Sequence, residues 1–391
     1  MAKRVTYLDN AATTPVRPEV LEAMLPYLGK EAFGNPSSAH RFGRAARAGI
    51  EEAKRAIAEA LDAEPNQVVF TSGGTEADNL AIIGAALASK DRGGPFRVAV
   101  SATEHKAALA AAHAVKHLGG EEVILPVTAS GLVDETQLAK AIEHGVAVVS
   151  IMWVNNEVGT VQPVRQLAAR CHEAGVLFHT DAVQAFGKVP VSLRNFNCTL
   201  LTLSGHKIGA PKGVGALIVR DRKAVEAIIH GGGQQFGIRP GTENVPGIIA
   251  LGVAARLAAQ EQQALAARLR ELRDELERRL LAIVPDALIN GRQGERAPHI
   301  SNASIPGTDS EALLMHLDLA GIACSSGSAC STGAVEPSHV LTAMGVPREL
   351  GVAALRFSFG KDSTLEDVDA LTAALPKIVE KVRSLSAVLH R

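Results

Sequence analysis

The sequence predicts an α/β protein: a large domain built on a mostly parallel seven-stranded sheet, joined to a smaller α+β domain. Three observations predict it. The chain is 391 residues long, enough for two to three domains at roughly 150 residues each. Over the first 255 residues, short apolar or β-branched runs alternate with helix-period patterns, as strands joined by crossover helices do. After Pro246 the texture changes to one long amphipathic pattern, and strands and helices then mix.

Each element rests on its own pattern. Residues 68–71, 97–101, 122–125, 146–152, 176–180, 199–203 and 214–219 read as strands, most of them bounded by Gly, Pro or polar residues. Between them Ile50, Ile57 and Leu61, and then Leu80, Ile83 and Leu87, repeat at helical spacing. Leu257, Leu265, Leu269, Leu272, Leu276 and Leu280 mark one stripe of a long helix. Its seam lasts under three clean heptads, so an amphipathic helix linking two domains is preferred to a coiled-coil zipper. Strands at 300–305 and 355–359 and helices at 309–319 and 365–389 complete the reading.

Composition removes several function classes. The chain is 47% hydrophobic and 21% charged, ordinary globular values. Lys+Arg 40 against Asp+Glu 41 leaves a formal charge of −1 with no polybasic block, which argues against nucleic acid or a membrane surface as partner. Aromatics are only 3%, few for stacking on exposed bases. The N-terminal MAKRVTYLDN lacks the apolar core of a signal peptide, and the near-apolar run 146–154 is too short to cross a bilayer. A cytoplasmic protein is expected. Cys171, Cys198, Cys324 and Cys330 are scattered and form no C-x-x-C pair, which excludes a disulfide framework and a zinc ribbon.

Chemistry concentrates at predicted strand ends. Residues 68–71 run into Ser72-Gly73-Gly74-Thr75-Glu76 and then a helical pattern. Such a turn collects free N–H groups and the positive end of a helix around one point, which suits a phosphate, although a plain βα turn reads the same way. Neither a P-loop nor a helix-opening G-x-G-x-x-G occurs. Asp181, with Gln184 three residues on, follows one strand, and Ser204-Gly205-His206-Lys207 follows the next. Ligands bind at that edge of parallel sheets. Singly, Asp181 reads as a turn cap and Lys207 as a solvated surface group. Together they are the parts that hold pyridoxal phosphate: a lysine for the Schiff base, an acid for the pyridine nitrogen, and N–H groups for the phosphate.

The motifs YLDNAATTP (7–15), FGNPS (33–37), TSGGTE (71–76), TEHK (103–106), VNNE (154–157) and HTDAVQ (179–184) stand in this order. SGHK (204–207), HGGG (230–233), RPGT (239–242), SSGSAC (325–330) and RFS (356–358) follow. In that series the chain resembles, along essentially its whole length, the pyridoxal-phosphate-dependent cysteine desulfurases of the aminotransferase class-V superfamily, which supply sulfur for iron–sulfur clusters and nitrogenase.

The resemblance implies fold type I, with a cofactor-binding domain over 16–259 and a small domain from 1–15 and 260–391. It implies Lys207 as the Schiff-base lysine, Asp181 as partner of the pyridinium nitrogen, and His105 stacked on the ring as a proton shuttle. Gln184 would bond the ring hydroxyl with Asn156 beside it. Gly74, Thr75, Ser204 and His206 would hold the phosphate, joined by Thr242 from the neighbouring subunit of a homodimer. Asn35 and Arg356 would hold the substrate carboxylate, which a planar guanidinium matches. Lys212, in a Pro-Lys-Gly turn, is the rival lysine and is read as structural.

The stretch CSSGSACSTG (324–333) has seven Ser, Thr or Gly among its ten residues and is expected to be a mobile loop. A mobile Cys330 suits a sulfur carrier. Its serine-rich context resembles the branch with the longer catalytic loop, whereas Cys324, ending an apolar run, is expected to be packed and unreactive. The implied reaction converts L-cysteine to L-alanine through a Cys330 persulfide. The sulfur then passes to an iron–sulfur scaffold or another acceptor protein. No resident metal is expected, with Cys330 at most a transient iron–sulfur ligand. A selenocysteine lyase or class-V aminotransferase on the same scaffold is the enzyme alternative, and a non-catalytic assembly scaffold the remote one.

Overall fold

A computed structural model of the chain describes residues 5–327, 330–331 and 334–389. Strand β1 (Thr6–Tyr7) leads by an extended segment into helices α1 (Pro18–Leu28) and α2 (Arg41–Leu61). Alternation then begins with β2 (Val68–Thr71), α3 (Gly74–Asp91), β3 (Arg97–Ser101), α4 (Lys106–His117) and β4 (Glu121–Leu125). It continues through α5 (Glu135–Glu143), β5 (Val148–Ser150), α6 (Val164–Glu173), β6 (Leu177–Asp181), β7 (Leu200–Ser204) and β8 (Gly215–Val219). These seven strands form one sheet in the order β2-β8-β7-β6-β5-β3-β4. Only β8 runs against its neighbours, so the sheet is mostly parallel as expected.

Predicted strand edges shift by a residue or two, and one strand shrinks with a visible cause. The run 146–152 contributes only Val148–Ser150 to the ladder. Beyond it the Met152 N–H turns away to the Glu104 carboxylate, at 2.7 Å. Leu80, Ile83 and Leu87 lie on one helix as their spacing predicts. The helix α3 buries Leu80, Ile82, Ala85 and Ala86 and is covered on nearly all sides. Its Gly84 lies so close to a neighbouring segment that a Cβ there would stand 2.6 Å from the Glu226 carbonyl oxygen.

The long helix α7 (Val245–Ile283) serves two cores. Its first turns put Ala250, Leu251, Ala254 and Ala255 with Ile50, Ala53 and Ile57 of α2 against the large sheet. Its last turns put Leu269, Leu272, Leu276 and Leu280 into a second core with Leu8, Leu355 and Phe357. Each large aliphatic side chain buried there contributes about 1.5–3 kcal/mol. Residue 259, the expected edge of the large domain, falls inside this helix.

The rest of the chain builds on that second core: β9 (Leu288–Ile289), β10 (Ile300–Ser304), α8 (Ser310–Leu319), β11 (Ile322–Ala323), β12 (Cys330–Ser331) and β13 (Ala334–Val335). Two short helices, α9 (His339–Ala343) and α10 (Arg348–Gly351), precede β14 (Ala354–Ser358) and the closing α11 (Leu365–Leu389). Strands β14, β10 and β9 make a small antiparallel sheet, while β1 pairs in parallel with β11.

The N-terminal segment stitches both parts together. Leu8 N–H donates to the Ala323 carbonyl and the Leu8 carbonyl accepts from Ser358. Thr14 and Arg17 N–H groups then reach the carbonyls of His206 and Gly209. Among the described residues no helix is long and apolar enough to cross a membrane, and no cluster of three or more metal-ligating side chains occurs.

Candidate active site

A cavity of about 410 Å³ opens where β6 and β7 end, beside the first turns of α3 and α4. Sequence logic explains each wall. The turn after β2 is tight: Ser72 N–H donates to Glu76 Oε2 at 2.8 Å, and Arg239 holds Glu76 at 2.8 Å. Gly215 backs this turn, where a Cβ would stand 2.7 Å from Gly73 backbone atoms, so only hydrogen fits. Gly74 and Thr75, opening α3, face the cavity with the unpaired N–H groups of a helix start.

Asp181 ends β6, is 5% exposed, and accepts from Val183 N–H at 2.8 Å. Burial raises its pKa to about 6, opposed by the Val183 amide and by Lys207. Ser204 ends β7, and the turn that follows carries His206 and Lys207 into the same space. Lys207 Nζ donates to the carbonyls of Ala11 and Ala12, at 2.7 and 2.6 Å. Burial, reinforced by Arg356, pushes its pKa down to about 8. Burial and the same lysine take His206 down to about 4.

His105 is the N-cap of α4, its Nδ1 accepting from Ala107 N–H at 3.2 Å. Burial and the charge of Lys207 lower its pKa. Gln184 Nε2 donates to the Ala11 carbonyl at 2.8 Å. Arg356 leans on the carbonyl of Asn156 (2.9 Å) and the carboxylate of Asp9 (2.7 Å), while its buried Nε has no partner.

The cavity thus brings together Gly74, Thr75, His105, Asn156, Asp181, Gln184, Ser204, His206, Lys207 and Arg356. It does not include Asn35, which is exposed with its Oδ1 engaged by Ser37 N–H, nor Thr242, which is exposed on its own chain. Lys212 is exposed in its turn. The backbone of Cys330 pairs with Val335, and its side chain lies outside the described residues. Cys324 packs at the rim of the second core, its thiol pushed up to about 12 by burial.

Sequence reasoning missed several contributors. Asp9 holds Arg356, and Asn155 orders the turn carrying Asn156 by accepting from the N–H groups of Glu157 and Val158. Both lie in quoted motifs, where their presence was the only signal. Asp78 also lines the cavity, and nothing in a mid-helix acid announces that.

The aminotransferase class-V family matches residues 6–371. A cysteine desulfurase IscS of Dictyoglomus turgidum is 45% identical over 98% of this chain and 97% of its own length. Another from Methanosarcina thermophila is 44% identical over 98% and 94%. A NifS-like protein from Rickettsia africae superposes with a TM-score of 0.86 at 32% identity, covering 96% of this chain and 100% of its own. SspA, solved in complex with cysteine, superposes at 0.79 and 34% identity over 90% and 98%. On a match that spans both cores and every wall of the cavity, the chain belongs to the aminotransferase class-V family.

Proposed function

We propose that this protein is a pyridoxal-phosphate-dependent cysteine desulfurase that converts L-cysteine to L-alanine and hands on the sulfur. One observation carries the reading: a single cavity joins a lysine amine of lowered pKa, a buried acid and an arginine with an unpaired Nε. The donor set fits the cofactor. Asp181 suits a ring nitrogen, Lys207 a carbonyl carbon, and the first N–H groups of α3 with Ser204 and His206 suit a phosphate. Bound there, the cofactor supplies an electron sink for the substrate's α-carbon.

The chain's own residues do the rest. At pH 7 a pKa of about 8 leaves about one Lys207 amine in ten unprotonated, against about one in three thousand at 10.5. Lys207 is therefore ready as a nucleophile and as a base that takes and returns a proton at Nζ. His105 has Nδ1 engaged, so Nε2 is the atom that exchanges protons with substrate. Arg356 orients the substrate carboxylate. The Cys330 thiolate attacks the substrate Sγ: the new S–S bond forms as Cβ–Sγ breaks. That bond's electron pair passes to the carbon skeleton, which is protonated at Cβ to give alanine.

The active unit in this reading is a cytoplasmic homodimer. Thr242 and the glycine-rich 230–233 segment lie at the interface, and an iron–sulfur scaffold or another acceptor protein takes the sulfur. Incubation with L-cysteine and a thiol tests the activity, expected to yield alanine and sulfide in equal amounts. Amino transfer to an added keto acid, without sulfide, would overturn it.

A further inference from the structure

Behind the cavity wall runs a row of buried polar side chains that the reaction above leaves without a task. Ser150 of β5 stands beside His179 of β6, and Thr202 of β7, opposite Asp181 in the register, reaches the same imidazole from two residues further along. His179 Nδ1 lies 2.8 Å from Ser150 Oγ, and its Nε2 lies 2.9 Å from Thr202 Oγ1. An acid closes each end: Asp78 of α3 beside Thr202, and Glu104 beside Ser150. Asp78 is 1% exposed and Glu104 0%. Asp78 Oδ1 and Glu104 Oε2 have no hydrogen-bond partner.

An ionised carboxylate in such a place requires a cation or several donors. Asp78 has neither. His179 Nε2 is 3.7 Å from Asp78 Oδ1, but both ring nitrogens already meet hydroxyls and burial takes its pKa down to about 3. The other groups acting on Asp78 are acids, Asp181 from β6 and Glu104 from the turn before α4, and Thr202 supplies a hydroxyl from β7. The lysine of the cavity, Lys207, acts on Asp181. Carboxyls sharing a dry site do not all ionise together.

We propose that Asp78 works as an un-ionised carboxylic acid and positions Asp181, which thereby remains the one carboxylate of the cavity wall. Glu104 closes the other end of the row as a second neutral acid. Thr202 bonds Asp78 and stands opposite Asp181 in the register of β6 and β7. Through it the neutral acid holds Asp181 in place and adds no competing charge, so Asp181 can stay ionised opposite a protonated ring nitrogen. The inference rests on the pyridoxal-phosphate reading and adds to it a residue, Asp78, which acts through Asp181.

Asp78→Asn mimics the neutral acid, whereas Asp78→Ala removes it. Infrared spectra of the wild type at pH 8 are expected to show the carbonyl band of a protonated carboxyl that Asp78→Asn loses. Titration with pyridoxal phosphate is expected to give Asp78→Asn the wild-type affinity and the wild-type pH midpoint of binding. Asp78→Ala should bind about tenfold more weakly, the cost of a disturbed buried polar contact. The proposal is overturned by a missing band, by Asp78→Asn binding as poorly as Asp78→Ala, or by a lowered pH midpoint in Asp78→Asn. Lower melting temperatures of the cofactor-free variants with unchanged affinity would also overturn it, leaving a purely structural role. A wild type that takes up no pyridoxal phosphate would sink the functional reading instead, and the infrared band then decides the charge of Asp78.

Discussion

In the proposed reaction, Lys207 and Arg356 set the chemistry at the scale of single residues. Burial lowers the Lys207 pKa to about 8, and the neighbouring guanidinium adds to this. Covalent uptake of the cofactor, trapped with borohydride, is therefore expected to rise with pH around a midpoint of about 8. Arg356→Gln removes the repulsion and is expected to move that midpoint to higher pH, and an unmoved midpoint would refute the electrostatic cause. The folded-state pKa lies below the ordinary 10.5, so the unfolded chain binds more protons between those values. Stability of the cofactor-free protein accordingly gains a contribution as pH rises from about 8 toward 10.5. Lys207→Ala should carry no trapped cofactor, while Lys212→Ala should carry as much as wild type.

The two loop cysteines divide in the same way. Burial pushes the Cys324 thiol up to about 12, so it is poorly nucleophilic at neutral pH. Cys324→Ala should keep most activity and lose on the order of 1 kcal/mol of stability. Cys330→Ala should bind cofactor and L-cysteine yet release almost no alanine. Persulfide mapping by mass spectrometry after a cysteine pulse checks both, and a label on Cys324 would reverse the assignment.

Among the elements, α7 combines close packing on a neighbouring helix with a buried ion pair. At Gly252 a Cβ would stand 2.7 Å from both Cα and Cβ of Ala53 in α2. Alanine gains up to about 1 kcal/mol of helix propensity over glycine, but forcing two backbones apart costs about 1–3 kcal/mol. The steric cost is the larger, so Gly252→Ala is expected to lower the urea midpoint. Further along, Glu277 accepts both Nη groups of Arg296 at 2.6 and 2.9 Å and the Ser301 hydroxyl at 2.9 Å. Both charged side chains are nearly fully buried. Glu277→Gln leaves Arg296 charged without its counter-ion and should cost about 3–5 kcal/mol. Replacing both by apolar residues should cost less than that single change, which the same denaturation series measures.

At the scale of the whole molecule the question is what completes the site. Thr242 stands outside the cavity of its own chain, as a residue serving a second subunit would. Size-exclusion chromatography is expected to give the mass of two chains. Inactive Lys207→Ala and Thr242→Ala proteins, once mixed and exchanged, should recover about a quarter to a half of wild-type activity per heterodimer, because one intact site forms. No recovery after verified exchange would return Thr242 to its own chain.

How much of this was legible beforehand varies with the range of the interactions. The alternation of strand and helix patterns, the seven strands of the large sheet and the set Gly74, Asp181, Ser204 and Lys207 all follow from local sequence. Period, turn residues and strand-end position are short-range signals. Contacts between distant segments are not. The carbonyls of Ala11 and Ala12 beneath Lys207, Asp9 on Arg356 and the early end of β5 at Glu104 required the folded chain. Those partners lie some 50 to 350 residues apart, and no local pattern encodes such a distance. The same holds for Asp78 and Glu104. Sequence supplies two ordinary acids, one within a helix and one in the turn before another, and burial by the tertiary fold, away from every cation that would stabilise their charge, decides that they stay neutral.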